Sequence, residues 1–368
     1  MSGPLVTIGV PVYRGQDVLP VTLECIRTQT YRNLDVLISV DAGDHDTARA
    51  CEPFLRRDSR FRMQVQPSRL GWAGNTDWTM RERRGDFYIY QQHDDQVSPT
   101  YVADLVGAAM RSPGSVLCFA RMECSGLLRV TQYGFPLSGT PTERIRDYLE
   151  SMDCVPFRGL MRGAALARTS GLLLSDFDPF DSYGTENRLM AELALQGDFE
   201  FVPGPAYYKR MHGANLNLKR DNWSDRQKLL AWACLAAWMT EVVVPAGQDF
   251  EERGQLFDAV LDRFLVARAN PWKRLIPVAR RLALTEARAM RPVRALVHRL
   301  KQNRKLASSV AGRWMLYESN DPSSRAELLR LIFDRLRSAG RFDPRSALQA
   351  TWEGLEEKAS KRFHASSS

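Results

Sequence analysis

The sequence predicts an α/β protein in which a mostly parallel sheet is followed by an all-α C-terminal region. Three observations carry this expectation. Short β-rich runs alternate with helical patterns up to about Asn217, strand signals stop beyond it, and a basic surplus is confined to the C-terminal part. Residues 221–368 hold 26 Lys and Arg against 17 Asp and Glu, whereas residues 1–220 hold 25 against 26. The predicted division is therefore an α/β domain over 1–220 and a basic helical domain over 221–368. A chain of 368 residues, 44% hydrophobic and 26% charged, is ample for two such cores.

Each element has a local reason. Residues 5–13 are a β-rich run, and the turn Arg14-Gly15-Gln16 leads into a helical pattern with Leu19, Leu23 and Ile26 on one face. Residues 34–40 form the second strand and end in Asp41-Ala42-Gly43-Asp44-His45-Asp46, with Asp46 as the expected helix cap. Residues 61–65 alternate as a third strand. In the loop after it, Gly71 and Gly74 let backbone approach a ligand closely, and Asn75 is expected to begin a helix through Arg81. The aromatic and aliphatic run at 87–90 is a buried strand that delivers Gln91-Gln92-His93-Asp94-Asp95 to a surface. A helix over 100–110 and a strand over 116–120 come next. Residues 157–166 are basic and punctuated by glycine, which fits a segment beside an anionic ligand or an ordinary strand between turns. Thr185 is the expected N-cap of a helix through Ala194, and Glu186 falls in its first turn, where the helix dipole favours a carboxylate whatever its role. Residues 199–202 and 206–212 read as two further strands.

Composition removes several function classes. The longest apolar run, residues 229–239, is too short to cross a bilayer. No basic-then-apolar leader precedes the first strand, so a cytoplasmic protein is expected. Six cysteines without a C-x-x-C pair argue against a zinc site and for a reducing compartment.

Ligands of open α/β sheets bind beyond the carboxyl ends of the strands, which is where Asp94 and Asp95 fall. Adjacent carboxylates there suit a hard divalent cation carrying a substrate phosphate. Asp41, also at a strand end, is placed to accept hydrogen bonds from a nucleotide; the plainer reading is a solvated turn. A lone G-x-x-G is more often a turn than a phosphate cradle. His212, beside Lys209 and Arg210, could face an anion or a metal, although a lone histidine is more often structural.

Taken together, these pieces resemble the family-2 glycosyltransferases of the GT-A, Rossmann-like fold. Val6 to Tyr13 looks like that family's first strand, with Arg14 where an Asn is common, and residues 29–35 are similar to its Q-T-Y-x-N-x-E approach to the second strand. Asp41 to Asp46 looks like D-D-G-S-x-D. Asn75 matches an Asn of the N-x-G-x-x-x-A-R-N element, in which Arg69 replaces the first Asn and Gly74 the Arg. His93-Asp94-Asp95, followed by Pro99, falls at the D-x-D metal motif, with Gln92 or His93 in place of its first carboxylate. Glu186-Asn187 falls where a Glu-Asp pair introduces a helix, and His212 matches the His that ends the catalytic domain. The match covers about residues 4–217.

The resemblance implies an inverting transferase that moves a sugar from a nucleotide-sugar donor to an acceptor hydroxyl in polysaccharide or glycoconjugate assembly. It implies Glu186 as general base. Donor contacts would come from Pro11, Tyr13, Asp41, Arg69, Gly71, Asn75, Asp94 and Arg210. A Mg²⁺ or Mn²⁺ cofactor would sit on Asp95, Asp94 and His212, with Asp95 carrying most of the load. The C-terminal third carries amphipathic basic patterns, notably residues 272–305 with Pro277 and Pro292 as breaks. Such a helix can pack as core or lie on an anionic membrane, which would suit a lipid-linked acceptor and a peripheral place at the inner membrane face. A nucleotidyltransferase would need a glycine- and lysine-rich loop near the first strand, which is absent. The remaining alternative is a non-catalytic protein that contacts lipid or nucleic acid through its basic helices, nucleic acid being the less favoured partner.

Overall fold

The computed structural model describes residues 3–127, 129–172 and 183–213, together with scattered positions between 235 and 263. The chain divides into two compact units, Met1–Lys219 and Arg220–Ser368.

In the first unit a mixed sheet forms around a parallel core. Strands β1 (Val6–Val12), β2 (Leu34–Val40), β3 (Phe61–Val65) and β4 (Phe87–Tyr90) run parallel, with β1 between β2 and β4. Every residue of β1, β2 and β4 is buried, as expected of central strands covered on both faces. The crossovers are helices α1 (Leu19–Arg27), α2 (His45–Arg57) and α3 (Gly71–Arg81). On α1 the expected stripe is the buried one, with Leu19, Leu23 and Ile26 at most 1% exposed. Because the strand order reverses at β1, the ends of β1, β2 and β4 open a crevice at the topological switch point.

The second half of the unit departs from a parallel sheet. It contains β5 (Gln96–Val97), α4 (Tyr101–Arg111), β6 (Ser115–Gly126), β7 (Val130–Gln132), α5 (Pro141–Ser151), β8 (Leu160–Arg162), α6 (Gly163–Leu166), α7 (Thr185–Ala194) and β9 (Asp198–Met211). The order across the sheet is β3-β2-β1-β4-β8-β6-β9-β5, with β7 on β6. The glycine-punctuated segment that sequence left open forms a single turn of 3₁₀ helix at Pro156–Arg158, then β8, antiparallel to both β4 and β6, then α6. The two strands expected at 199–212 are one strand, β9, with an irregularity in its pairing to β6 where Gly204 takes a φ of +108°.

Three cap expectations are corrected. Asp44, rather than Asp46, caps α2, accepting from the Thr47 N–H. Helix α3 begins at Gly71, so Asn75 lies inside it. Gly184, in the left-handed region at φ +79°, precedes α7, and Thr185 is fully buried. In the second unit the described positions are helical except Gly247 and Gln248; the other expected C-terminal helices, with the acidic loop at 176–182, lie outside the described residues. Among the described residues no helix is long and apolar enough to cross a membrane.

Candidate active site

The main chain of the His93-Asp94-Asp95 turn is fastened from two sides. Thr22 Oγ1 on α1 donates to the carbonyls of His93 (2.9 Å) and Asp95 (3.0 Å), and Gln91 Nε2 donates to Asp95 O at 3.0 Å. With the backbone fixed, the three side chains diverge. The His93 ring turns under β1, donates to the Pro11 carbonyl and packs on Gly15, where a Cβ would come within 3.0 Å of it. Burial pushes its pKa down, so the ring is neutral near pH 7.

Asp95 is 1% exposed and already committed: Oδ2 accepts from the Tyr207 hydroxyl at 3.0 Å and Oδ1 from the Arg210 N–H at 2.8 Å. Burial first, and then the charge of Asp94, raise its pKa to about 6. Beside the cation role expected of it, Asp95 has a positioning role. It ties the end of β4 to β9 and so fixes the spacing between Asp94 and His212. Asp94 Oδ2 lies 2.7 Å from His212 Nε2, which joins two residues 118 positions apart. The Asp94 carboxylate is shielded and the imidazole about one-third exposed.

The β2 side of the crevice is organised differently from expectation. Asp41 is 1% exposed, and its carboxylate accepts from the N–H groups of Ala42 (3.1 Å), Leu70 (2.7 Å) and Gly71 (3.0 Å). It anchors the loop before α3, and Gly71 meets the geometry with a φ of +69°. That anchoring brings the Arg69 guanidinium over the Tyr13 ring, 3.9 Å from its centroid, at the half-exposed mouth of β1. Asn75 is not at the mouth. Its Nδ2 donates to Ser39 O at 3.0 Å, its Oδ1 accepts from Ser39 Oγ, and it is 3% exposed, so it locks α3 to β2. The donor contact expected of Asn75 is withdrawn on that ground.

Glu186 lies in the first turn of α7, half-buried, with Oε2 shielded from solvent and its charge felt at Cys154. Its neighbour Asn187 accepts at Oδ1 from the Tyr148 hydroxyl (3.0 Å) and the Cys154 thiol (3.3 Å), which holds the helix start against α5. Burial, with the Glu186 charge next, drives the Cys154 thiol far above its usual range, so it stays protonated.

Arg158 links the two sides. Its Nη1 donates to Cys154 O at 2.9 Å, its Nη2 reaches Gln92 Oε1 at 3.3 Å, and its guanidinium lies 5.7 Å from the Tyr207 ring centroid. Alternation along β9 puts Tyr207 and Lys209 on one face and Tyr208 and Arg210 on the other. Lys209 lies in the field of Asp94 and Asp95, as Arg158 does in that of Asp95; burial, then the Arg158 charge, lowers the Lys209 pKa. Arg210 contributes its main-chain N–H to Asp95. Sequence reading assigned no role to Tyr207, Arg158 or Gln92. The period-2 pattern of β9 was the available signal for Tyr207, whereas the other two meet only in three dimensions.

Residues 7–168 match the family model described as glycosyl transferase family 2. The matched residues lie within the N-terminal unit, which resembles that family over this stretch. EpsH of Bacillus subtilis strain 168 is 25% identical to this chain over 166 residues, 44% of this chain and 46% of its own. The glycosyltransferase GlyG of Streptococcus pneumoniae serotype 4 is 25% identical over 101 residues, 27% of this chain and 34% of its own. The matched stretch thus spans less than half the length of these curated relatives. Among solved structures, residues 1–349 of S. aureus TarS superpose with a TM-score of 0.57 at 13% identity, covering 93% of this chain and 95% of that one. TarS in complex with UDP-GlcNAc gives 0.55 at 13% identity, covering 92% and 93%. At that identity the likeness shows the fold, which is GT-A. In this fold Asp94 follows β4, His212 follows β9, and Glu186 lies in the first turn of α7.

Proposed function

We propose that the chain is an inverting glycosyltransferase that moves a sugar from a nucleotide-sugar donor to an acceptor hydroxyl. The observation that carries this reading is the 2.7 Å contact between Asp94, after β4, and His212, after β9, in a domain that matches the family-2 model over residues 7–168. The crystallised TarS complex with UDP-GlcNAc makes a uridine diphosphate sugar the first donor to test.

One carboxylate and one imidazole fit a divalent cation that takes its other ligands from the donor diphosphate, as Mg²⁺ commonly does; the imidazole inclines the pair toward Mn²⁺. Among the described residues no group of three or more His, Cys, Asp and Glu side chains could hold a metal ion. Mg²⁺ or Mn²⁺ bound there would neutralise charge developing on the departing diphosphate. Lys209 supplies a fixed positive charge toward the same region and Arg158 backs it, without reorganisation at the moment of reaction. Tyr13 and Arg69 form a flat cationic surface at the mouth, fit to meet the nucleotide. Glu186 takes the proton from the acceptor hydroxyl as it attacks the anomeric carbon from the face opposite the diphosphate, which inverts that carbon.

Glu186→Gln tests the assignment. General-base assistance is worth about 10²- to 10⁴-fold, so kcat falls by at least that lower factor while donor affinity, by titration calorimetry, is unchanged. Full transfer by a folded Glu186→Gln chain would remove Glu186 from the mechanism.

A further inference from the structure

We propose that the loop Tyr133–Phe135 is the acceptor subsite, a stacking platform for a sugar ring of a glycan acceptor; this deepens the transferase reading and rests on it. Tyr133 and Phe135 are each 61% exposed, in a domain that buries Tyr88, Tyr90, Tyr101, Tyr148 and Tyr207 almost completely. Their exposure is not that of a slack loop. The Tyr133 ring meets Phe201 edge-on, with centroids 6.3 Å apart. Gly134, at φ +70°, lies so close to its support that a Cβ would fall 2.5 Å from the Phe119 ring and 3.0 Å from Asp153 Oδ2. Leu137 then pairs with Phe199 in both directions, at 3.0 and 2.9 Å. The segment is thus pinned at its middle and its end, and two rings are left facing outward.

Its place in the fold names the occupant. Asp153, under Gly134, precedes Cys154, whose Sγ touches Asn187 and whose surroundings include the Glu186 charge. An acceptor that offers its hydroxyl to Glu186 lays the next part of its body toward this loop. Aromatic rings present flat apolar faces to the C–H face of a pyranose, and exposed Thr131, Gln132 and Ser138 border them with hydroxyl and amide groups suited to sugar hydroxyls. A lipid surface would engage the hairpin tip instead, where Leu127 is 69% exposed near Arg129.

The test uses the full chain with Tyr133→Ala, Phe135→Ala and, at the tip, Leu127→Ser. Cellohexaose, chitohexaose and maltohexaose are titrated by ligand-observed NMR, and flotation with phosphatidylglycerol vesicles is run in parallel. Circular dichroism and the thermal shift given by UDP with Mn²⁺ report folding and the donor site. We expect at least one hexasaccharide to bind, each aromatic variant to weaken it about 3- to 10-fold, and Leu127→Ser to leave it unchanged. Failure of all three sugars to bind, or unaltered binding by both aromatic variants, overturns the proposal. So does vesicle binding that Tyr133→Ala and Phe135→Ala abolish. A wild-type chain that binds the sugar through these rings but gives no shift with Mn²⁺ and any of UDP, GDP and dTDP keeps the platform and removes the transferase reading.

Discussion

Asn75→Ala separates a structural role from a ligand-binding one. In the native domain the Asn75 amide saturates Ser39, donating to its carbonyl at 3.0 Å and accepting from its hydroxyl, while Ser39 Oγ accepts from Gln66 Nε2 at 2.8 Å. Ser39 is fully buried and Gln66 and Asn75 nearly so, so water does not replace the lost partner. Truncation leaves one carbonyl lone pair and one hydroxyl proton unsatisfied, at about 1–3 kcal/mol each. Because the Gln66 bond persists, the expected loss is about 2–4 kcal/mol. For a unit of this size that lowers Tm by about 5–15 °C. The assay is urea unfolding of variant and wild type, paired with UDP titration well below the transition. We expect the urea midpoint to fall and the UDP Kd to stay within about twofold. A loss under about 1 kcal/mol, or a tenfold weaker Kd at unchanged stability, would refute the reasoning and return Asn75 to the donor site.

The same geometry yields two further expected outcomes. If Asp94 and His212 hold the cation as proposed, His212→Ala removes one of its two protein ligands, and the Mn²⁺-dependent gain in UDP affinity should shrink by at least about 10-fold, the scale on which even partners of ligands act. An undiminished gain, read by calorimetry with and without chelator, would move the cation elsewhere. Asp35 titrates in the acid range: burial raises its pKa, but hydrogen bonds from Arg62 and Thr7 outweigh it and the net shift is downward. A depressed carboxylate stabilises the fold above its unfolded pKa near 3.8 and loses that contribution as pH falls through the folded value. Asp35→Asn should therefore be less stable at pH 7 and show a shallower loss of stability below pH 4; parallel acid limbs in urea unfolding at stepped pH would contradict this.

Much of the domain was legible in one dimension because its central strands bury both faces and so read as largely apolar, β-rich runs. Strands β1 to β4 and the stripe of α1 follow from local pattern alone. The strands over 116–120 and 199–212 were also legible, but the pattern could not give β8 or the antiparallel pairing of the second half of the sheet. Strand β8 is three residues long between a 3₁₀ turn and a short helix, too brief to show a period, and its antiparallel pairing depends on partners far along the chain. The caps slipped for a related reason. Several acidic or hydroxyl residues stand near each helix start, and only the folded backbone shows that Asp44 reaches the Thr47 N–H while Thr185 turns inside.

The site divides along the same line. The order of residue types is enough to say which chemistry arrives at the strand ends: a carboxylate pair after β4, a carboxylate in the first turn of α7, and a histidine after β9. Residue identity and local period suffice for that. The roles of these groups were set by the folded chain, because a carboxylate's role depends on which donors already occupy its oxygens. Asp95 and Asp41 accept hydrogen bonds from N–H and hydroxyl groups of distant segments, and Asn75 is spent on Ser39. Asp94 instead meets His212 across 118 residues, at a distance set by the tie that Asp95 makes.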